Sequence, residues 1–351
     1  MYKVTVAIPV YNVENYIKHS LLSALNQTYD NIEYILVDDR GTDKSMDIVK
    51  DILSNHKRGA DVRIVTHPHN IGLGGARNSS IANATGDYIY FMDSDDTIEP
   101  NTIQLLCDNI AENDTDIVEG SFRMLTNEGE TILENVIPDY YAQGCMAICE
   151  WMKHTKLYYD GFSWNKLISL KLLRENKIEC IPSQRNEDVF FSFQIVLHAR
   201  SIKTISNVTY NYYMRPGSII HRKIDDFYYN QFLEIFDART KLMKEMHIKK
   251  PTVLYNYYLQ HFFEWWIDYI ISGNFTKEKK LAFYKRMQNV FSLDFKMNDL
   301  VGNRYKVKYL LLKSNNYIPY KLFSLFDNRC HIIYDILQKK LRCFPLPYNH
   351  L

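Results

Sequence analysis

The chain has few of the features that mark a secreted or membrane-spanning protein. No window of about 18 residues is uncharged and apolar throughout, and the most apolar stretch, YYLQHFFEWWIDYIISG, is interrupted by His261, Glu264 and Asp268, which argues against a spanning helix. The apolar run in the N-terminal MYKVTVAIPVYN is too short for a signal peptide. The six cysteines form no CxxC pair, which disfavours a disulfide scaffold and a zinc knuckle. We therefore expect a protein of a reducing compartment, the cytoplasm.

Charge is unevenly distributed along the chain, although the 351 residues carry a formal net charge of only +1. Residues 1–200 hold 18 Lys and Arg against 29 Asp and Glu, whereas residues 201–351 hold 24 against 12. A basic second part is typical of a solvated helical surface, and equally of contact with an anionic membrane surface or a polyphosphate. Both interpretations stay open at this stage.

Strand-like and helix-like segments alternate over the first 120 residues. Four apolar runs, KVTVAIPVY, IEYILVDD, DVRIVTHP and DYIYFMDSDD, are each followed by a segment with helical periodicity. This alternation predicts an α/β fold with a mostly parallel sheet that carries helices on both faces. Ligands bind at the carboxyl ends of the strands in such sheets, so we expect a site near Tyr11, Asp39 and Asp93, which follow the first, second and fourth runs.

Two further regions follow. Residues 121–222 mix short strand-like and helical segments, and the chain beyond 223 has almost entirely helical, aromatic-rich amphipathic patterns. We therefore predict a domain over 1–222, with halves at 1–120 and 121–222, and a mainly helical C-terminal extension over 223–351. The aromatic residues of this extension favour packing or oligomerisation, with contact to a membrane surface or a lipid-linked acceptor as the alternative; they include Phe262, Phe263, Trp265 and Trp266.

Three carboxylates follow the fourth apolar run within four positions. Asp93 and Asp95, one residue apart at a strand end, can present both side chains to one hard cation, and oxygen ligands of this kind suit Mg²⁺ or Mn²⁺. The alternative is an acidic turn in which Asp96 or Thr97 caps the next helix. A second acidic pair, in VDDRGTDKS, ends the second run, where a carboxylate can accept hydrogen bonds from a base or ribose.

A glycine-rich segment, HNIGLGGARNSS, lies between the third and fourth runs. Its three glycines allow close backbone approach, and Arg77 can compensate negative charge or form a salt bridge with Asp93. No GK[ST] follows the glycines, and they do not follow the first strand, so the segment is neither a Walker A loop nor a dinucleotide-binding fingerprint.

These segments together resemble a known family. IPVYN, VDDRGTD, NIGLGGARN, MDSDD and NEDVFF occur in the order and spacing of family-2 inverting glycosyltransferases, and the resemblance covers residues 1–220. It implies a GT-A (Rossmann-like) fold and a nucleotide-diphosphate sugar as donor. It also implies a Mg²⁺ or Mn²⁺ cofactor.

The resemblance also implies roles for individual residues. Pro9, Tyr11, Glu14 and Asp39 would line the nucleobase and ribose site, Arg77 and Ser94 would lie near the nucleotide, Asp93 would hold ribose or metal, and Asp95 would bind the metal. Two positions depart from the family pattern. Arg40-Gly41 stands where Gly-Ser is usual, and Ser80 replaces a common glycine.

Transfer of a sugar with inversion needs a carboxylate base from a segment other than the metal ligands. In NEDVFF the resemblance assigns this base to Asp188, with Glu187 as the lesser candidate; an N-terminal cap is the alternative. In WNKL, Trp164 and Lys166 resemble an acceptor-side element, although Trp164 fits a core position nearly as well. Arg215 and His221 are weaker candidates for diphosphate contacts or, for His221, a metal position.

We therefore expect an enzyme that transfers one hexose-type sugar, with UDP-sugar as the donor, to a glycan or lipid-linked glycan in bacterial surface polysaccharide biosynthesis. The place would be the cytoplasm or the inner face of the cell membrane, and no nucleic-acid partner is expected. The absence of spanning segments and of a QxxRW element disfavours a processive synthase. The alternatives are a sugar-nucleotide nucleotidyltransferase and a non-catalytic nucleotide- or glycan-binding module.

Overall fold

The computed structural model describes residues 1–110, 114–155, 157, 159, 161–182, 187–215, 226–246, 275–291 and 310–311. Contacts between residues divide the chain into two compact units. The first comprises 1–155 and 159–221, and the second comprises 156–158 and 222–351. The boundary at 221/222 lies one residue from the division predicted from the sequence.

The first unit alternates strands and helices, as the periodicity predicts. Its strands are β1 (Val4–Val10), β2 (Ile32–Asp38), β3 (Val62–Thr66), β4 (Tyr88–Phe91), β5 (Thr97–Ile98), β6 (Ile117–Thr126), β7 (Thr131–Asn135), β8 (Tyr140–Gln143), β9 (Lys166–Ser169) and β10 (Ser201–Met214). Its helices are α1 (Ile17–Leu25), α2 (Ser45–Asn55), α3 (Gly72–Asn83), α4 (Thr102–Asp108), α5 (Ala147–Thr155), α6 (Leu170–Glu175) and α7 (Glu187–His198).

All ten strands form one sheet in the order β3-β2-β1-β4-β9-β6-β10-β5, with β7 paired to β6 and β8 paired to β10. The pairs β3-β2, β2-β1 and β1-β4 are parallel, and so is β6-β10. The short strand β9 lies antiparallel to both of its neighbours, β4 and β6. The predicted α/β class is confirmed, and the sheet is mixed beyond β4.

The centre of the sheet is buried on both faces. Every residue of β1 is buried, and so is every residue of β4. One face packs against α1 and α2, where Ile17, Leu21 and Val49 join the main apolar cluster. Parallel strands covered in this way have continuous apolar sequences rather than alternating ones, which explains the runs in the sequence.

The described part of the second unit contains two helices, α8 (Asp226–Glu245) and α9 (Lys277–Phe291). The aromatic residues Phe262, Phe263, Trp265 and Trp266, on which the predictions of packing or membrane contact depend, lie outside the described residues. None of the described helices has the length and apolarity required to cross a lipid bilayer.

Candidate active site

The candidate site lies where the parallel strands end. Val10 pairs with Asp38 at the ends of β1 and β2, and Ala7 of β1 pairs with Phe91 at the end of β4. The residues that follow these strand ends therefore share one edge of the sheet, as the sequence predicts. Several of the predicted side chains form hydrogen bonds or ion pairs with one another there.

The first strand end carries the predicted base- and ribose-binding residues. Pro9 is buried within β1, whereas the Tyr11 ring is 44% exposed and free to stack on a planar ligand. Glu14 is exposed, and its carboxylate accepts a hydrogen bond from the backbone N–H of Lys44 at 3.0 Å. Asn12 adopts a left-handed backbone conformation and accepts from the N–H of Thr42 at 2.7 Å. These contacts hold the β1 and β2 loops together.

Asp39 is buried and fully engaged with protein groups. Its carboxylate lies 2.8 Å from Nδ1 of His67 and accepts hydrogen bonds from the N–H groups of Ile71 at 2.9 Å and Gly72 at 3.0 Å. Gly72 has φ +85°, a conformation that favours glycine and brings its N–H to the carboxylate. Asp39 thus anchors the start of α3. The predicted contact between Asp39 and the nucleobase stays a prediction. Such a contact would use the part of the carboxylate that these three partners leave accessible.

The departure Arg40-Gly41 has a structural reason. Arg40 adopts φ +59°, in the left-handed region where glycine is favoured, which accounts for the glycine usual at this position. Two hydrogen bonds stabilise the arginine there, from its N–H to Asp38 at 2.9 Å and from its Nε to the carbonyl of His67 at 2.6 Å. The other departure, Ser80, is fully buried and donates to the carbonyl of Ala76 within an unbroken α3.

Arg77 joins two acidic segments that are far apart in sequence. Its side chain is buried, Nη2 donates to Asp93 at 2.9 Å, and Nη1 donates to Glu187. Burial alone would lower the pKa of the guanidinium, but the charges of Glu187 and Asp93 outweigh it and raise that pKa. The salt bridge to Asp93 that the sequence offered as an alternative is therefore present, together with a second one to Glu187.

A missing side chain makes this arrangement possible. A Cβ on Gly74 would lie 2.1 Å from the carbonyl oxygen of Ile181 and 3.0 Å from Cβ of Glu187. Close approach at this glycine therefore serves protein packing, which brings the first turn of α7 against α3. Glu187 reaches Arg77 because position 74 is a glycine.

Asp188 follows Glu187 in the first turn of α7 and is partly exposed. Loss of solvation and the neighbouring Glu187 carboxylate raise the pKa of Asp188 to about 8, with Arg77 opposing the rise. A carboxylate whose pKa lies near neutrality is suited to accept a proton from a hydroxyl. Glu187 is committed to Arg77, which leaves Asp188 as the member of the pair that is able to meet a substrate.

Asp95 faces a different arginine from Asp93. Nε of Arg215, the residue after β10, donates to the Asp95 carboxylate, and the Arg215 guanidinium lies 4.9 Å above the Tyr16 ring. Burial and the charge of Asp93 raise the pKa of Asp95, although Arg215 opposes this. Ser94, between the two acids, is buried. His221 lies outside the described residues, so its predicted role stays a prediction.

Asp96 has a structural role in the same turn. Its carboxylate accepts hydrogen bonds at 2.8 Å from the Tyr210 hydroxyl and from the N–H of Tyr213, both in β10. The Tyr210 hydroxyl also accepts from the N–H of Asp93 at 3.2 Å. The prediction that Asp96 caps the next helix is wrong, because its carboxylate binds β10 and α4 begins only at Thr102.

A divalent cation fits this turn only with help from a substrate. In the described ranges, no group of three or more His, Cys, Asp and Glu side chains is placed to hold a metal ion. Asp93 and Asp95 provide hard oxygen ligands of the type that Mg²⁺ and Mn²⁺ prefer, and diphosphate oxygens and water commonly complete such a site. The donor chemistry fits, provided that Arg215 releases Asp95.

The predicted acceptor-side residues are buried. The Trp164 side chain lies parallel to the rings of Phe162 and Tyr210, with centroids 4.7 and 4.5 Å away, and Trp164 is 5% exposed. Lys166 is buried, forms an ion pair with Glu119 at 3.0 Å and lies over the Tyr159 ring. Trp164 therefore occupies the core position that the sequence offered as the alternative, and a sugar has little access to either side chain.

Two residues with a part in the site, Tyr210 and His67, had not been singled out from the sequence, whereas Asn165 lies within the WNKL segment described above. Tyr210 holds the turn over residues 93–96, called here the aspartate turn, His67 orients Asp39, and Asn165 binds four partners. The Asn165 amide donates to the carbonyls of Gly120 and Ser121 and accepts from the hydroxyls of Tyr90 and Thr209. Its φ of +62° lies in the left-handed region, which asparagine tolerates better than most residues.

Comparison with known proteins shows which family the N-terminal part of the chain is similar to. Residues 5–141 match the family described as Glycosyl transferase family 2. The protein EpsH of Bacillus subtilis (strain 168) is 34% identical over 224 residues, which cover 62% of this chain and 63% of EpsH. A poly(ribitol-phosphate) beta-glucosyltransferase of Bacillus spizizenii is 31% identical over 220 residues, which cover 61% of this chain and 32% of that enzyme. The match thus spans less than two thirds of either relative.

The fold is also that of a solved structure. The crystal structure of S. aureus TarS 1–349 in complex with UDP-GlcNAc superposes with a TM-score of 0.77 at 18% sequence identity, covering 93% of this chain and 92% of that one. At this identity the likeness concerns the fold alone, and it confirms the GT-A architecture expected from the sequence.

Proposed function

Residues 5–141 belong to glycosyl transferase family 2, and we propose from this premise that the protein is an inverting glycosyltransferase that transfers one sugar from a UDP-sugar to an acceptor hydroxyl. The observation that carries the proposal is the pairing of Glu187 with Arg77, which leaves Asp188 as a carboxylate of raised pKa beside the aspartate turn. Binding of UDP-GlcNAc by the structurally similar TarS supports a UDP-sugar as the donor.

The chemistry is a single displacement. The acceptor oxygen forms a bond to the anomeric carbon while the bond from that carbon to the diphosphate breaks, and Asp188 accepts the hydroxyl proton. The diphosphate leaves with the bonding electron pair, and Arg215 is placed to balance its charge once it turns from Asp95. A Mg²⁺ or Mn²⁺ ion held by Asp93 and Asp95 would supply Lewis-acid stabilisation of the diphosphate.

The donor nucleotide would lie along the β1 and β2 loops. Tyr11 provides an exposed ring for the base, and Glu14 is exposed beside it. Asp39 would act indirectly, since its carboxylate fixes the backbone N–H groups of Ile71 and Gly72 at the start of α3. Arg77 and Ser94 are buried, and Arg77 binds Asp93, so we infer that Arg77 acts by holding Asp93 in place rather than by reaching the nucleotide from the surface.

The acceptor is proposed to be a bacterial surface glycan or its lipid-linked precursor, which the beta-glucosyltransferase relative supports by its name. A lipid-linked acceptor would bring the protein to the inner face of the cell membrane, and the excess of basic residues over 201–351 suits an anionic surface. Co-sedimentation with phosphatidylglycerol vesicles, compared with phosphatidylcholine vesicles, tests this contact.

Thermal unfolding in the presence of nucleotide sugars tests the function. A ligand that binds only the folded state raises the melting temperature, so UDP-sugars are expected to stabilise the protein more with Mn²⁺ than without it. Release of UDP then identifies a transferase, whereas release of pyrophosphate would indicate a nucleotidyltransferase. Binding of UDP-sugar without any transfer or hydrolysis would indicate a non-catalytic module.

A further inference from the structure

Phe162 forms the outer end of an aromatic stack that leads to the candidate site. Its ring lies parallel to that of Trp164, with an interplanar angle of 14°, and Trp164 lies parallel to Tyr210 and Tyr212 at 16°. Phe122 meets both Phe162 and Trp164 edge-on. Trp164 and Tyr210 are buried, whereas Phe162 is 40% exposed.

The inner end of the stack is fixed to the aspartate turn. Trp164 pairs with Phe91, two residues before Asp93, and Tyr210 donates its hydroxyl proton to Asp96. A ring resting on Trp164 is therefore rigidly placed relative to the turn, with little freedom to lose on binding a ligand.

The segment that carries Phe162 is also fixed to the helix that carries Asp188. The carbonyl of Gly161 accepts a hydrogen bond from the Ser192 hydroxyl at 2.7 Å, and Ser192 lies four residues after Asp188, on the same face of α7. Cγ2 of Val189 lies 4.0 Å from the position that a Cβ of Gly161 would occupy. The exposed ring thus stands beside the first turns of α7.

We propose that Phe162 is the platform on which a pyranose ring of the acceptor stacks during transfer. The proposal rests on the function proposed above, because it takes Asp188 as the base that the acceptor hydroxyl must reach. One face of a pyranose presents C–H groups with partial positive charge, which suit the negative face of an aromatic ring. The acceptor-side role expected of Trp164 from the sequence thus moves outward by one ring, to the member of the stack that a sugar can touch.

The test compares variants of the full-length chain. Saturation-transfer NMR in the presence of UDP measures how each variant binds methyl β-D-glucopyranoside and methyl N-acetyl-β-D-glucosaminide. Phe162→Leu keeps an apolar side chain over Trp164 but removes the aromatic face, whereas Phe162→Tyr keeps the face. Ile132→Ala, at a residue that is 48% exposed on β7, is the control for loss of exposed apolar surface. Circular dichroism melts establish that each variant is folded.

We expect F162L to raise the half-saturating glycoside concentration about 2- to 10-fold, the range that aromatic contacts support. F162Y and I132A should stay within about 2-fold of wild type. The Kd for UDP and the rate of UDP-sugar hydrolysis without acceptor should be unchanged in all three variants. An unchanged glycoside affinity in F162L, or a loss confined to UDP-sugar binding, would overturn the proposal.

Failure of the two proposals is distinguishable. If wild type neither binds UDP nor releases it from UDP-sugars, the function proposed above is wrong. Glycoside binding measured without nucleotide then decides the role of Phe162 by itself. Loss of glycoside binding in F162L supports Phe162 as a sugar platform, and retention of that binding overturns this role.

Discussion

Nη1 of Arg77 donates a hydrogen bond to the carboxylate of Glu187, and this contact joins α3 to the first turn of the helix that carries Asp188. The other guanidinium nitrogen, Nη2, binds Asp93 at 2.9 Å. One buried cation therefore lies between the segment proposed to hold the diphosphate and the segment proposed to supply the base. A single buried side chain thus joins the two segments, and substitution of that side chain tests the arrangement.

Arg77→Ala should destabilise the fold severely. Removal of the guanidinium leaves Glu187 buried without its partner, and breaking a buried pair from one side costs about 3–5 kcal/mol. Chemical denaturation measures the free energy of unfolding. Arg77→Ala combined with Glu187→Gln should recover part of the loss, because the uncompensated carboxylate is then removed. A double variant no more stable than R77A would contradict the buried-charge account.

Asp188→Asn should abolish transfer while leaving donor binding intact. The amide occupies the same space but cannot accept the acceptor proton, so we expect the transfer rate to fall about 10²–10⁴-fold. Isothermal titration with UDP should give the wild-type Kd. Transfer at the wild-type rate in D188N would remove Asp188 from the role of base.

The pH dependence of transfer should follow the Asp188 carboxyl. Its pKa of about 8 means that the free enzyme carries a proton there at neutral pH, and only the ionised form acts as a base. We therefore expect kcat/KM to rise with pH, to level off above about 8, and to lose this rise in D188N. A profile already flat from pH 6 upward would contradict the raised pKa.

The same shift predicts an effect on stability with the opposite slope. The ordinary pKa of an aspartate is 3.8, and in the fold it is raised, so the folded state retains its proton more tightly than the unfolded state. The stability contributed by Asp188 is therefore fully present below pH 3.8 and is lost as the pH rises through about 8. D188N lacks this loss. The melting temperature of D188N should therefore rise relative to that of wild type as the pH increases from 3.8 to about 8.

Metal dependence should separate Asp95 from Asp96. Chelation is expected to weaken UDP binding by wild type, and Asp95→Asn should remove this sensitivity, because one proposed ligand is lost. Asp96→Asn is the matched control, since the Asp96 carboxylate is directed to Tyr210 and Tyr213 rather than to the diphosphate side. UDP affinities with and without Mn²⁺ measure both. Equal affinities in wild type would exclude a role for the cation in donor binding.

A hydrogen-bond network remote from the site predicts how the stability of the fold falls at acidic pH. Glu33 accepts hydrogen bonds from Thr5 and Thr85 and pairs with Lys3 at 3.0 Å. Burial opposes ionisation, but these donors outweigh it and lower the pKa of Glu33 to about 2. Its stabilising effect is present above the ordinary value of 4.5 and is lost as the pH falls through about 2.

Glu33→Gln should accordingly lower the free energy of unfolding at pH 7 by about 1–2 kcal/mol, a figure reduced for the partial exposure of the side chain. The difference between variant and wild type should shrink toward zero near pH 2. Glu128→Gln, at an exposed acidic residue in the turn between β6 and β7, provides a matched control that should change neither value. A constant difference across this range would point to lost packing instead of charge.

The elements of the first unit were predictable because burial and chain direction act on local sequence. The runs that became β1, β2 and β4 are apolar without alternation, since both faces are covered, and their carboxyl ends follow from the parallel order. The position of β9 was not predictable. Only two of its four residues, KLIS, are apolar, and nothing local specifies that it enters antiparallel between β4 and β6.

The acids of the site were found from the sequence, but of their partners only Arg77, for Asp93, was among the expectations. Asp39, Asp93, Asp95 and Asp188 stand at strand or helix ends, where the pattern places them. Which cation each one meets depends on contacts such as Arg215 to Asp95, 120 residues apart, and Gly74 to Glu187. Long-range packing decides these pairings, and a single sequence contains no record of them.

The placement of β9 also bears on how the protein can be divided in the laboratory. The family match ends at residue 141, yet the strands that flank β6 in the sheet, β9 and β10, come later in the chain. A fragment cut at 141 would expose the edge of β4 and leave Asp96 without Tyr210. The shortest expression product that retains every strand contact of the aspartate turn therefore extends through Arg215, well beyond the recognisable family segment.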